Sequence, residues 1–299
     1  MATVFYDKAA VTVTWGDTSE TLLASDFTVN LNNSQQPLYA IGGKGSLGQF
    51  PSAARVGDAS FNFLTTITGQ HYGQQGNIIN FLASGIKNSV GSTSSGVVVS
   101  GAGIKGIGFL NSYSFNVASN TVSSSSASFT FYGGNIGVGS EQQDVLSGVL
   151  GESTARVGVG STTSPALGTG IAHGRYTPLT TLATSSPEAG TVFGADYSIS
   201  FNHNPIYKLG EELPTLTMYT TAQESINVTE DVFASGLAFD PDAADFTIQL
   251  SGLATPAQAA SKNTGPMTLK MISGKQVSTS MSAGLDDIVR TQKTLVASY

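Results

Sequence analysis

The chain has 299 residues, 40% of them hydrophobic and only 11% charged, with 35 glycines and no cysteine. Such a length accommodates two ordinary domains, and such an apolar share fills proper cores, so wholesale disorder is excluded. A net charge of −7 excludes a nucleic-acid grip built on Lys and Arg, and the missing cysteines exclude disulfides, thiolate nucleophiles and Cys-based zinc sites.

The first residues, MATVFYDKAAVTV, carry no basic region followed by an apolar core, so no secretory leader is expected. No run of eighteen apolar residues exists to cross a bilayer as a helix. Residues 3–15 predict a first strand, closed by the turn WGDT. Strands follow around 25–31 and 37–41, with NNSQQ between them as a hairpin loop, and another follows near 53–66. In GNIINFLASGIKNSV the apolar stripe Ile78, Ile79, Phe81, Leu82 and Ile86 has helical spacing, and Gly76 and Asn77 can open the helix. GFLNSYSFNV and SASFTFYG alternate like the two arms of a hairpin, with Phe109, Asn111, Tyr113, Phe115 and Val117 on one side of the first arm. Residues 133–187 are dense in Gly, Ser and Thr and read as connection and loop, with one short helix in SEQQDVLSGVL. Past residue 190 come further strands, an acidic loop FDPDAADF, a second short helix at TPAQAASK and a closing hairpin-like stretch.

The chain resembles itself. Pro37, Leu38, Tyr39, Ile41 and Gly42 answer to Pro205, Ile206, Tyr207, Leu209 and Gly210 at a constant offset of 168, that is 205 − 37. Upstream, SDFTVNL answers to ADYSISF at an offset of 170, that is 195 − 25, so the second copy is shorter by two residues in the loop that holds His203. Downstream, SFNF from Ser60 answers to SINV from Ser225. The division that follows is a first β module over 1–140, a connection over 141–189 and a second β module over 190–299, each mainly β, sandwich- or barrel-like, with one short helix.

Candidate chemistry is scarce. Gly101-Ala102-Gly103-Ile104-Lys105-Gly106 has a dinucleotide-site spacing, but a strand pattern follows it where a helix is needed. GGKGS lacks the Gly-Lys-Ser/Thr order of a phosphate loop. Asp240, Asp242 and Asp245 lack the Gly and closing Glu of a calcium loop and read as a solvated acidic turn. His71, His173 and His203 share no metal-ligand spacing. No catalytic, cofactor or metal residue is assigned, and no enzyme activity is expected.

The stretch DFTVNL…PLYAIGGKGSLGQF…ASFNFL resembles the tail tube proteins of long-tailed bacteriophages, and GFLNSYSFNV…SASFTFYG resembles the last hairpin of that family. The likeness covers about residues 20–135 and, more faintly, 190–299. The usual member has one such module, and this chain has two. The resemblance implies a structural virion protein, made in the host cytoplasm, that self-associates into rings stacked as the tail tube. Three two-module chains would fill a pseudo-six-fold ring. It implies contacts with the tail tip, terminator and tape measure, and passage of genomic DNA through a net-negative bore without specific binding or membrane contact. The Gly- and Ser-rich stretches around 88–101 and 133–187 are the candidates for loops that order on stacking. Alternatives are a tail-tip or baseplate ring protein of the same fold, and a virion surface decoration or carbohydrate-binding β protein. The last class should show clustered exposed aromatics, whereas the single Trp, Trp15, lies in the first predicted hairpin.

Overall fold

The computed structural model describes residues 11–16, 18–32, 35–39, 45–51, 56–65, 76–94, 96–101, 104–119, 121–138, 179–183, 192–210, 214–231, 244–250, 267–283 and 289–299. The expected helices at SEQQDVLSGVL and TPAQAASK, and His71, His173, Asp240 and Asp242, lie outside them. Among the described residues the fold is mainly β: one large antiparallel sheet, a separate two-stranded sheet and a single helix.

Alternating sequence becomes strand throughout. β1 (Val11–Trp15) turns through Gly16, at φ 58°, into β2 (Thr18–Leu22). That left-handed conformation suits glycine at a two-residue hairpin turn. β3 (Thr28–Asn32) pairs with β6 (Val56–Leu64), and β4 (Gln35–Tyr39) pairs with β5 (Ser46–Pro51). Asn32, Gln35 and Gln36, expected in the hairpin loop NNSQQ, are therefore strand. Asn32 stands opposite Val56 and Gln35 opposite Pro51, so β3 and β4 are successive parts of one arm, and the chain reverses after Tyr39.

Helix α1 (Ile78–Asn88) begins at Asn77, whose side chain accepts the Asn80 N–H at 2.9 Å, an ordinary N-cap. Ile78, Ile79, Leu82, Ala83 and Ile86 are buried, while Phe81 sits half-buried against Trp15 at 5.2 Å between ring centroids. β7 (Thr93–Ser94) and β8 (Val97–Gly101) follow. Val97 and Val99 are buried, so part of the stretch expected as a stacking loop is instead core strand.

β9 (Ile104–Ala118) and β10 (Ser124–Val138) form the expected long hairpin. A register shift sets Leu110 opposite Phe129 and Ser112 opposite Ser128. This extra residue breaks strict alternation. Leu110 and Tyr113 both reach the core, and Asn111 does not continue the Phe109 face. The later strands are β11 (Leu179–Ala183), β12 (Val192–Ile206), β13 (Leu216–Asp231), β14 (Ala244–Leu250), β15 (Met267–Ser282) and β16 (Arg290–Ser298). β11 falls inside the segment expected to be connection.

Two runs of strands have the same order. One is β1, β8, β9, β10, β6, β3, and the other is β11, β14, β15, β16, β13, β12. Register agrees as well: Leu38 faces Gly48 as Ile206 faces Leu216, and Thr28 faces Ser60 as Ser198 faces Ser225. The two runs are not separate sheets. β12 pairs with the second part of β9 over seven residue pairs, from Gly194 opposite Ala118 to Ser200 opposite Ser112. One buried cluster runs through both, from Val11 and Phe61 to Ile226 and Leu295.

Asn77→Ala should lower stability by about 1 kcal/mol through loss of the cap, while Asn77→Ser should keep most of it. Urea unfolding followed by circular dichroism measures the difference.

Candidate functional surface

On the face of the sheet turned away from the core, the outward positions of the strands are almost all hydroxyl or amide. β9 supplies Ser112, Ser114 and Asn116; β10 supplies Ser124, Ser126 and Ser128; β12 supplies Asp196, Ser198 and Ser200; β13 supplies Gln223, Ser225 and Asn227. These side chains bond across strands. The Ser112 and Ser128 hydroxyls lie 2.7 Å apart, as do those of Ser114 and Ser126. The Asn116 amide donates to Asp196, and the Asn62 amide donates to Asp26 at 2.7 Å. Two open concavities follow this face, one lined by Ser112, Ser198, Gln223 and Ser298, the other by Asn62, Ser126, Asp196 and Asn227. Among the described residues, the charges beside this hydroxyl patch are carboxylates such as Asp58 and Asp196, and Lys105 stands at the far end of β9, opposite Ser100. Such a surface offers no grip for phosphate.

On the buried side the only described helix is tied to the second run of strands. Lys87 Nζ donates to Glu224 Oε1 at 3.1 Å, with both side chains almost fully buried. Tyr197 Oη donates to Glu224 Oε1 at 2.7 Å and Tyr299 Oη to Oε2 at 2.6 Å. Lys87 also donates to the Lys270 carbonyl, and the Ile78 N–H donates to Glu20 at 2.7 Å. Every polar atom of the ion pair is used, the condition under which a buried pair is tolerable. Burial first, then the adjacent Glu224 carboxylate, holds the Tyr197 hydroxyl well above its ordinary pKa.

His203 lies inside β12, at a register shift after Asn202, and not in a shortened loop. His203 and Asn204 are strand because their arm, like β3 with β4, runs on to the tip of a long hairpin. Its Nδ1 accepts from Tyr132 Oη at 2.6 Å and its Nε2 donates to Asn111 Oδ1 at 2.5 Å. The chain continues from Asn111 to Thr130 at 2.8 Å and from Thr130 to Asp58 at 2.6 Å. Burial lowers the imidazole below its ordinary 6.5, against the opposing pull of Asp58, and burial pushes Tyr132 up to about 12.

The other candidate motifs resolve into structure. Gly101 ends β8 and Ile104 opens β9, so a strand, and no helix, follows the glycines. Asp245 sits in β14, accepting from the Ser273 N–H at 3.0 Å and pairing with Lys270 at 3.1 Å. The Ser273 bond first, then Lys270, pulls its carboxyl below the usual range. Ser273 has a positive φ of 53°, so Asp245 pins a strained residue where β15 passes from β14 to β16. No group of three or more His, Asp or Glu able to hold a metal occurs among the described residues. No described helix is long and apolar enough to cross a membrane. No protein-family model matches the chain, and no curated protein matches it.

Two measurements check these networks. Lys87→Ala, by stranding the Glu224 carboxylate, should cost about 3–5 kcal/mol of unfolding free energy, and Lys87→Met with Glu224→Leu should recover a large part of it. His203 has a folded pKa below its unfolded value, so it is bound as the neutral ring in the fold. Its stabilisation is complete above the unfolded 6.5 and is lost as pH falls toward the lowered folded value. Denaturation midpoints should therefore drop between about pH 7 and 5, and His203→Gln should flatten that slope.

Proposed function

We propose that the chain is a structural subunit of a phage-type tail tube, with two tube modules per chain and no chemistry of its own. The observation that carries this reading is the shared strand order of the two runs, joined by β12 on β9 into one sheet with a hydroxyl-lined face. Identical order with matching register is what a duplicated tube module would produce. A head-to-tail interface that closes makes a ring, and two modules per chain make a ring of three chains with pseudo-six-fold symmetry.

The remaining features support it. A wall of Ser and Asn with scattered carboxylates lets a DNA duplex pass without counterion release. Matching hairpin tips expose Leu38, Tyr39 and Leu47 in the first half and Ile206 and Leu209 in the second, apolar contacts suited to stacking one ring on the next. Trp15 is packed against Phe81, so it is no exposed sugar-binding platform.

Cryo-electron microscopy of the concentrated protein tests the reading. Stacked rings of three chains around an open bore are expected, with the Ser114 and Ser198 face inward. Rings of six chains, filaments without a bore, or a bore lined by Lys and Arg overturn it.

A further inference from the structure

Within the chain, the second part of β9 is completed by β12, and this junction buries Phe115 and Val117 to 1% and 3% exposure. The register chain identifies its counterparts at the ends of the sheet. Ser60 faces Ser128, which faces Ser112; Ser225 faces Val296, which faces Lys275. Lys275 thus stands in β15 where Ser112 stands in β9, and after the extra residue Val277, Ser278 and Ser280 stand where Ser114 and Asn116 do. On the other arm, Thr28 stands where Ser198 does.

Those counterparts end the sheet. β3 pairs only with β6, and the segment of β15 from Lys275 to Ser282 pairs only with β16, among the described strands. Val277 and Met281 are 52% and 53% exposed, where the equivalent side of β9 is core. An uncovered strand edge invites a further strand, and proteins ordinarily blunt it with charge, proline or a covering element. TVNLN in β3 has no charge and no proline, and the β15 segment has Lys275 alone.

We infer that β15 of one chain pairs with β3 of a second copy in the antiparallel register that β9 and β12 use within the chain. Ser200 opposite Ser112 then becomes Asn30 opposite Lys275, Ser198 opposite Ser114 becomes Thr28 opposite Ser278, and Asp196 opposite Asn116 becomes Asp26 opposite Ser280. The Ser280 hydroxyl takes over the donor role of the Asn116 amide toward an aspartate. The core side of the new junction sets Phe27 against Thr279 and brings Val277 and Met281 out of water. This deepens the ring reading above and rests on it for closure at three chains. The pairing itself needs only the two edges.

The chain has no cysteine, so Thr28→Cys with Ser278→Cys introduces a clean pair. Directly opposed strand residues have Cα atoms about 4.5–5.5 Å apart, within disulfide range. Oxidation of the assembled protein should give covalent dimers and trimers on a non-reducing gel, with trimers as the end point. Thr28→Cys with Thr279→Cys, shifted by one residue to the opposite face, should give none. Ser114→Cys with Ser198→Cys should link within one chain without change of mass. Val277→Lys with Met281→Lys, in the Thr28→Cys, Ser278→Cys background, should abolish the cross-link while leaving the unfolding midpoint of the isolated chain unchanged. Rings without the Thr28–Ser278 cross-link, or a cross-link in the shifted pair, overturn the pairing and leave the ring reading standing. The cross-link in assemblies with no bore supports the pairing and sinks the ring reading.

Discussion

The antiparallel ladder between β9 and β12 is the constraint on which the rest of the molecule depends. Without it the chain would be two short sheets, each ending in an open edge beside a half-finished core. With it, Tyr197 lies opposite Phe115 and Ile199 opposite Tyr113, and all four side chains are buried. The inward face of one run thereby becomes the inward face of the other, and the hydrophobic cluster is continuous. The outward face becomes continuous by the same step, because alternation places Ser114 and Ser198 on the opposite side.

Helix α1 makes that junction rigid in a direction that strand pairing cannot. It belongs to the first run by sequence, yet its last turn is anchored in the second through Lys87, Glu224, Tyr197 and Tyr299. Close approach limits the space around it: a Cβ on Gly85 would come within 3.0 Å of the Trp15 ring. A buried ion pair is a costly clasp compared with apolar packing. What it adds is direction, because a carboxylate with three donors accepts one docking angle where a greasy contact would accept several.

Local pattern carried much of this into the sequence. Phe61 and Phe63, Phe115 and Val117, and Tyr197, Ile199 and Phe201 are buried as their period-two spacing predicts, and α1 starts at Asn77 as its cap and stripe predict. Pairing between distant strands left no local trace, so β9 with β12 could not be read. Nor could the register shift beside Asn111, because one inserted residue changes no composition. Asn32, Gln35 and Gln36 misled because polar residues mark an exposed strand as well as a turn. The buried cluster did leave a signal that was missed: Glu224 is in phase with Ala222, Ile226 and Val228, a charge set in the core positions of a strand.

The hydroxyl ladder has a consequence for anything moving along that face. Ser112 with Ser128 and Ser114 with Ser126 already satisfy each other, so each hydroxyl pair presents fewer idle donors than its count of oxygens implies. Water over such a self-satisfied polar wall finds few protein partners left to hold it. On the conduit reading proposed above, a polymer moving along this face would shear that loosely held film and not the protein.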